Sequence, residues 1–433
     1  MSRLEPTNEA SAIAEQGGGR ATKVEQLIQQ YCPDGVEYKP LGEVCDIKGR
    51  IGFRGYTRQD LVEEADGAIT LSPSNITNQE LSYENCSYIS WAKYEESPEI
   101  KVAVGDVIFT KTASVGKTAL VKYLPKEATI NPQLVVLKNI QSNPAFLAYV
   151  LKSYRFQQEV VKLQGVGSVP NISQTALSGI TIPIPPLPVQ EEIVRILDTF
   201  AELQAELQAE LQKRLQQYEY YKWSIFEGLS CPTKHITDVA LVKARVGWQR
   251  LTTAEYQSIG DYYLITGTDF KNGKIDFGNC VFVSKERYEM DPNIIVGKGD
   301  ILITKDGTLG KVAFLEDEPN KPTTLNSGVF RIHTTDPKVS PRYLFHYFTS
   351  KYFTDFVNSV KTGSTIPHLT QQGLVSLNIP IPSLEEQNRV VSILDRFDTL
   401  TTDLTAGLPA EIEARRKQYE HYRDQLLTFK QKA

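Results

Sequence analysis

Hydrophobic residues recur at helical spacing through a long segment near the middle of the chain. Beyond a proline-rich stretch at 183–188, apolar side chains follow in steps of three and four: Ile193, Leu197, Phe200, Leu203, Leu207, Leu211, Leu215, Tyr218, Tyr221 and Ile225. An advance of about 100° per residue keeps them on one stripe of a helix roughly 50 Å long. Such a stripe needs a partner, so the pattern predicts a long helix packed on another helix.

A second stripe near the C-terminus supplies that partner. It runs through Val390, Leu394, Phe397, Leu400, Leu404, Leu408, Ile412, Tyr419, Tyr422 and Leu426. Gly407-Leu408-Pro409 interrupts it, which predicts a kink or a restart with Pro409 in the first turn. Each helix could instead cover only its own domain, but a stripe of roughly 50 Å exceeds the diameter of such a domain. We therefore favour pairing of the two helices.

The rest of the chain combines strand and helix patterns, and it does so twice. Short β-branched runs at 106–110 and 300–304 lie between glycine turns, whereas 144–163 and 341–360 have helical spacing with proline near the first turn. Residues 104–121 align on 298–315 without a gap at an offset of 194, and 182–187 align on 379–384 at an offset of 197. The chain is a tandem duplication, and the predicted fold class is α/β (mixed α+β) in two globular repeats.

These patterns divide the chain into five predicted segments. They are a polar N-terminal tail and short helix (1–35), a first globular domain (36–185), a central long helix (186–230), a second globular domain (231–382) and a distal long helix (383–433). A two-fold axis that relates the two repeats would make the long helices antiparallel.

Composition excludes several classes of protein. The 433 residues are 41% hydrophobic and carry a net charge of −5, and no run approaches the roughly 18 apolar residues of a membrane span. The start of the chain lacks the apolar core of a secretory signal, so we expect a cytoplasmic protein with no membrane partner. A net charge of −5 argues against coating nucleic acid by bulk electrostatics, but it allows a local basic groove.

Motifs for catalysis are missing. Ser114-Val115-Gly116-Lys117-Thr118 resembles the end of a phosphate-binding loop, but the required first glycine would stand at position 111, which is lysine. The five cysteines and five histidines are scattered, with no CxxC pair or other metal-ligand spacing. We therefore predict no catalytic, metal or cofactor-binding residue in this chain.

Basic, aromatic and hydroxyl residues do recur at equivalent places in both copies. The candidate DNA contacts are Arg50, Phe53, Arg54 and Arg58, Thr110, Lys111, Thr112, Ser114 and Lys117 in the first copy, and Arg245, Trp248 and Arg250, Thr304, Lys305, Thr308 and Lys311 in the second. Cations and hydroxyls on glycine loops suit phosphate, and arginine can read guanine edges. Ordinary solvated loops are an equally good explanation of these clusters. A third pair of small-polar loops, 165–172 and 362–369, fits a tight turn as well as ligand contact.

The order of these elements resembles a known family. A variable globular domain, a Gly-Ser loop, the segment Ile182-Pro-Ile-Pro-Pro-Leu with Gln190 entering a long helix, and then the whole arrangement again are similar to the specificity (S) subunit of type I restriction-modification systems. The terminal segment 409–427 is similarly typical of that family. The resemblance covers about 24–430.

The resemblance implies a function for each part of the chain. It implies a non-catalytic subunit with two target-recognition domains, each reading half of an asymmetric bipartite site in double-stranded DNA. The two long helices would pair as an antiparallel coiled coil, set the spacing and dock two methyltransferase subunits, joined by restriction/translocase subunits. S-adenosylmethionine would then belong to the methyltransferase subunit, and ATP and Mg to the restriction subunit. A structural coiled-coil adaptor and a self-contained DNA-modifying enzyme are the alternatives.

Overall fold

The computed structural model describes residues 22–50, 52, 55–77, 80–165, 167, 169–246, 251–362, 367–402 and 407–432. These residues form two compact units. The first contains the described residues up to Ala205 and those from Ala414 onwards, and the second is Glu206–Glu413. Each unit holds one copy of the repeated globular part together with segments of the long helices.

The strands of the first unit form two larger sheets and two short pairs. They are β1 (Glu37–Pro40), β2 (Asp46–Gly49), β3 (Leu61–Val62), β4 (Gly67–Leu71), β5 (Ile76–Thr77), β6 (Glu80–Leu81), β7 (Ser87–Ser90), β8 (Val107–Thr110), β9 (Thr118–Leu120), β10 (Ala128–Ile130), β11 (Leu134–Lys138) and β12 (Thr181–Ile184). An antiparallel sheet has the order β2–β11–β8–β9, and a mixed sheet has the order β10–β4–β7–β3 with β10 parallel to β4. The short pairs are β1–β12 and β5–β6.

The second unit repeats this topology, except that its described residues form no counterpart of β3. Its strands are β13 (Thr233–His235), β14 (Ala240–Ala244), β15 (Tyr262–Ile265), β16 (Phe270–Lys271), β17 (Lys274–Ile275), β18 (Val281–Val283), β19 (Ile301–Thr304), β20 (Val312–Phe314), β21 (Thr323–Leu325), β22 (Val329–Thr334) and β23 (Asn378–Pro380). The sheet orders are β14–β22–β19–β20 and β18–β15–β21, with pairs β13–β23 and β16–β17. The duplication read from the sequence is thus a duplication of strand order.

Helices fill the remaining volume of both units. They are α1 (Lys23–Tyr31), α2 (Leu41–Val44), α3 (Trp91–Glu95), α4 (Pro144–Lys152), α5 (Tyr154–Leu163), α6 (Gln174–Ser178), α7 (Leu187–Glu227), α8 (Ile236–Val239), α9 (Lys285–Glu289), α10 (Pro341–Phe348), α11 (Lys351–Val360), α12 (Gln371–Val375), α13 (Leu384–Thr402) and α14 (Leu408–Leu426). The predicted fold class, mixed α/β in two repeats with long helices, is confirmed.

The helical patterns at 144–163 and 341–360 are each two helices and not one. The first breaks at Ser153, whose hydroxyl donates to Val150 O at 2.7 Å and caps the next helix by accepting from Phe156 N. In the second, the Ser350 hydroxyl donates to Tyr347 O at 2.6 Å. A serine that bonds the preceding turn ends one helix and begins another, which spacing alone does not reveal.

Alternate side chains of the central strands face two different cores. On β8, Val107 and Phe109 join the helices, whereas Ile108 faces the mixed sheet. On β19, Ile301 and Ile303 face the helices and Leu302 faces the second sheet. Because strand side chains alternate, this sheet buries both of its faces. The sequences of its central strands are therefore continuous runs of apolar residues.

In each unit, α7 packs against one of the two C-terminal helices, which is α14 in the first unit and α13 in the second. In the first unit Phe200 stacks on Tyr422, with ring centroids 5.6 Å apart, and lies near Tyr419. In the second unit Tyr218 stacks on Phe397 at 5.6 Å. The predicted break at Gly407-Leu408-Pro409 is a restart, since α14 begins at Leu408 with proline in its first turn.

Candidate nucleic-acid interface

Four loops of the first unit lie side by side, joined by main-chain hydrogen bonds. Asn131 N, beyond β10, donates to Leu71 O at the end of β4 at 2.8 Å. Lys111 N, beyond β8, donates to Gln133 O at 2.9 Å, and Ile172 N donates to Lys111 O at 2.9 Å. The row therefore consists of the turn 72–75 and the loops 131–133, 111–117 and 170–172, which we call the loop edge.

The second unit builds the same loop edge from equivalent residues. Asn326 N donates to Ile265 O at 3.0 Å, and Lys305 N donates to Gly328 O at 2.8 Å. Leu369 N then donates to Lys305 O at 3.0 Å. Its members are the turn 266–269 and the loops 326–328, 305–311 and 367–369. Two of the predicted clusters, the glycine loop and the small-polar loop, are thus brought together in both units.

Positive φ angles shape the glycine loops. Ala113 and Gly116 have φ of 66° and 96°, and their equivalents Gly307 and Gly310 have φ of 72° and 77°. Glycine adopts this region without cost, whereas alanine at 113 is strained there. The turn returns the chain to the neighbouring strand, because Gly116 N donates to Thr110 O at 3.0 Å.

The four predicted lysines occupy this edge with different exposure. Lys111 and Lys305 are half-buried, and Lys117 and Lys311 are exposed. Partial burial lowers the pKa of the Lys111 ammonium from its usual value. Lys305 Nζ lies 5.4 Å from the Phe330 ring centroid. Side chains of this kind can place positive charge at a surface while their stems pack on apolar groups.

The predicted hydroxyls divide into buried and accessible ones. Thr110 and Thr304 are fully buried; Thr304 Oγ1 accepts from Lys311 N at 2.9 Å and holds the glycine loop closed. Thr112 is half-buried, and Ser114 and Thr308 are exposed. Ligand contact is therefore open to the last three, whereas Thr304 stabilises its loop and Thr110 is buried.

The predicted arginines also divide, and two of them are structural. Arg50 Nε donates to Ile130 O at 3.2 Å, and Arg245 Nε donates to Leu325 O at 2.9 Å; these side chains are 5% and 2% exposed. Burial lowers the pKa of both guanidinium groups. Arg58 is exposed. The candidates Phe53, Arg54, Trp248 and Arg250 lie outside the described residues.

Sequence reasoning missed the turns 72–75 and 266–269. Ser72-Pro73-Ser74-Asn75 aligns on Thr266-Gly267-Thr268-Asp269 at the same offset of 194 as the glycine loop, but without one identical residue. A search for hydroxyls and amides at a fixed offset, and not for identities, would have found the pair.

The loops of the two units differ where glycine loop and small-polar loop meet. In the second unit His368 Nδ1 lies 2.6 Å from Asp306 Oδ1, and both side chains are about half exposed. A main-chain β-bridge pairs Asp306 with His368, and at the equivalent positions of the first unit another pairs Thr112 with Asn171. An acid and a histidine in one copy stand where a hydroxyl and an amide stand in the other, so the two edges offer different hydrogen-bonding groups.

Metal-ligand side chains come together away from the loop edge. Among the residues that the structure describes, His346, Asp395 and Asp398 have atoms close enough to share one ion. Asp395 Oδ1 already lies 2.8 Å from Arg342 Nε and 2.7 Å from His346 Nε2, and Tyr218 donates to Asp398 Oδ1 at 2.6 Å. With a guanidinium inside the cluster, the geometry favours an ion-pair network that joins α10 to α13 and α7. The absence of a metal ligand remains a prediction.

Comparison with known proteins agrees with this architecture. A family model for the type I restriction modification DNA specificity domain matches residues 33–217 and again 233–414. The two matches together cover most of the chain, once for each repeat. The chain therefore belongs to the specificity-subunit family of type I restriction-modification systems.

Relatives in two bacteria carry names from this family. The chain is 37% identical over 271 residues to a Haemophilus influenzae protein named as a type I restriction enzyme specificity subunit, covering 60% of this chain and 66% of that one. It is 34% identical over 284 residues to the EcoR124I/EcoR124II specificity subunit of Escherichia coli, covering 60% and 65%. The matches thus span slightly less than two thirds of either relative.

One solved structure shows the same fold. A chain from a study of complex assembly and conformational transition of the type I R-M system aligns with a TM-score of 0.60 at 18% identity, covering 91% of this chain and 98% of that one. The S subunit of M. genitalium aligns with a TM-score of 0.47 at 14% identity. Within the residues that were described, none of the helices is both long and apolar enough to span a bilayer.

Proposed function

We propose that this chain selects the DNA sequence on which a type I restriction-modification complex acts, with each repeated domain reading one half of a bipartite site in double-stranded DNA. The observation that carries the proposal is the loop edge, which is built twice from equivalent loops and carries lysines each time. Two similar readers in one chain suit a target with two separated components.

Positioning and reading fall to different side chains in this proposal. Lys111, Lys117, Lys305 and Lys311 contact phosphates, because a cation is complementary to the backbone of any sequence. Hydroxyl, amide, acid and imidazole groups such as Thr112, Asn171, Asp306 and His368 differ between the domains. Since base edges are distinguished by donors and acceptors, the unlike sets predict unlike half-sites and an asymmetric target.

The proposed subunit is non-catalytic, and the chemistry belongs to its partners. Two methyltransferase subunits, which bring S-adenosylmethionine, would dock on the outward faces of the long helices around 192–217 and 385–418. Restriction/translocase subunits, which bring ATP and Mg, would join that complex. The place of action is the cytoplasm.

Exchange of one domain tests the proposal most directly. Residues 36–185 are replaced by a homologous domain, the chain is expressed with its methyltransferase partner, and methylated adenines are mapped by single-molecule sequencing. One component of the target should change and the other persist, because its reader is untouched. The matched control exchanges 231–382, which should alter the complementary component. A single exchange that rewrites both components would refute independent reading.

The two alternatives predict other outcomes. A structural adaptor would bind duplex DNA weakly, with no marked salt dependence, even in the complete complex. A self-contained DNA-modifying enzyme would bind S-adenosylmethionine and transfer methyl groups as the purified chain. The proposed subunit, purified alone, should neither bind S-adenosylmethionine nor transfer methyl groups. It should show salt-dependent duplex binding.

A further inference from the structure

The turn 72–75 in the first unit holds its hydroxyls in a directed chain of hydrogen bonds. Ser72 N donates to Asn75 Oδ1 at 2.9 Å, which identifies that atom as the amide oxygen. Ser72 Oγ also donates to Asn75 Oδ1, at 3.0 Å, and this uses its only hydrogen. The Ser72 and Ser74 oxygens lie 2.7 Å apart, so Ser74 must be the donor in that contact. The exposed Ser74 hydroxyl is left with acceptor lone pairs.

The turn 266–269 in the second unit repeats this chain with different residues. Asp269 is 2% exposed and its carboxylate can only accept; Thr266 N and Oγ1 donate to Oδ2 at 2.7 and 2.9 Å. Thr268 Oγ1 lies 2.8 Å from Thr266 Oγ1 and must therefore donate to it or to Asp269 Oδ1 at 3.4 Å. The exposed Thr268 hydroxyl again offers only lone pairs outward.

Both turns lie next to the glycine loop of their own unit. Lys117 Nζ is 3.4 Å from Pro73 O and 3.5 Å from Ile76 O. A Cβ on Gly267 would lie 3.7 Å from Thr304 Cγ2. Each turn thus lies beside a lysine-bearing loop, at the start of the same loop edge.

From this polarity we propose that Ser74 and Thr268 are base-reading residues, each accepting a hydrogen bond from the exocyclic amino group of adenine or cytosine in the major groove. The inference rests on the proposed function and deepens it. Phosphate oxygens only accept, so a hydroxyl whose hydrogen is committed inside its turn does not suit them. Adenine N6 and cytosine N4 are the donors that the major groove displays.

The turn itself does not need the outer hydroxyl. The bonds that close it run from Ser72 to Asn75 and from Thr266 to Asp269. Ser74 and Thr268 are exposed, and each lies at the outer end of the row of hydrogen bonds in its turn. Removal of these hydroxyls should therefore leave the fold intact, which makes Ser74→Ala and Thr268→Val usable probes.

The experiment uses the full chain in complex with its methyltransferase partner. Cells carrying wild type, S74A or T268V are mapped for methylated sites, and binding to the wild-type target and to every single-base-pair variant is then measured. Each substitution should relax discrimination about fivefold at one base pair of one half-site, because one net hydrogen bond of that size is lost. The other half-site and the slope of affinity against salt should stay unchanged.

The control variant is Thr428→Val, which removes an exposed threonine hydroxyl bonded to Asp424 O at 2.7 Å and lies outside the proposed docking faces. It should leave the target unaltered. Uniform weakening on all sites with a smaller salt slope would make the hydroxyls phosphate contacts and overturn the inference, as would unaltered specificity in both variants. Failure of the proposed function differs from both, since then the wild-type chain would itself specify no bipartite target.

Discussion

Arg245 donates from Nε to the main-chain oxygen of Leu325 across 2.9 Å. Its Nη2 lies 3.2 Å from Thr324 Oγ1, so one guanidinium ties β14 to the end of β21. Arg50 makes the equivalent bonds to Ile130 O and Thr129 Oγ1. In both repeats, an arginine that the sequence pattern assigned to DNA contact is buried and links the two sheets.

Replacement of Arg245 should act first on the stability of the fold and only through it on DNA binding. Arg245→Leu is expected to lower the free energy of unfolding by about 1–3 kcal/mol, because two buried acceptors lose their donor. Thermal and denaturant unfolding measure the effect. Arg58→Leu, at an exposed position, should change stability by less than about 0.5 kcal/mol. An R245L chain with unaltered stability but a smaller salt slope would return Arg245 to the interface.

The network around Asp395 should make the second unit sensitive to acid. Burial alone would raise the pKa of this carboxyl, but hydrogen bonds from His346 and Arg342 hold it below its usual value. A depressed carboxyl pKa contributes stability above the unfolded value of about 3.9, and this is lost as pH falls through the folded value.

Asp395→Asn removes that contribution. The unfolding free energy at neutral pH should fall by about 1–2 kcal/mol, discounted for partial exposure, and its decline toward low pH should become shallower. Denaturant titrations across the acid range check both effects. Asp317→Asn is the control, because that side chain is 93% exposed and its Oδ1 atom lies as far as 4.0 Å from Lys298 Nζ. Equal pH slopes in D395N and wild type would contradict the assignment.

Lys152 should make the stability of the first unit depend on pH in the alkaline range. Burial, and then the neighbouring Lys122, lowers the pKa of its ammonium to about 8. Between that value and about 10.4 the unfolded chain binds more protons, so stability rises with pH. Lys152→Met should therefore be more stable than wild type at neutral pH, with the advantage shrinking toward about pH 10. Lys285→Met, on the exposed face of α9, should show no such trend in the same titrations.

Sequence alone predicted the parts of this molecule that depend on periodicity. The stripe from Ile193 to Ile225 is a helix, the restart at Pro409 is real, and the offset of the repeats matches their strand order. Periodicity works there because burial of one helix face or of alternate strand positions dominates the energetics. The family followed from the same elements.

The candidate DNA-contact site was harder to predict from the sequence, for two physical reasons. Arg50 and Arg245 carry the same charge as a surface arginine, and only the tertiary packing of two sheets shows that their partners are carbonyls. Ser74 and Thr268 lie in turns that share hydrogen-bond geometry but no identical residue, so an alignment by identity passes over them. The individual DNA contacts remain predictions.

The lysines of the two glycine loops should contribute to the salt dependence of binding. Lys111→Ala or Lys305→Ala is expected to weaken duplex binding and to reduce the magnitude of the salt slope by about 1, if each meets one phosphate. Lys298→Ala is a matched control, because Lys298 precedes β19 whereas Lys305 follows it, at the opposite end of the same strand. Unchanged slopes in K111A and K305A, with folding intact, would make these loops ordinary solvated surface.

The length of α7 should set the gap between the two halves of the target. Residues 201–212 consist of three consecutive copies of Ala-Glu-Leu-Gln, so one more copy continues the apolar stripe. Four residues add about 6 Å to a helix, close to two base-pair steps of about 3.4 Å. Single-molecule sequencing of methylated sites should therefore show both components unchanged and their gap lengthened. Substitution of Gln204 and Gln208 by alanine, at constant length, should leave the gap as it is. A gap that does not respond to the inserted copy would show that something other than this helix spaces the two readers.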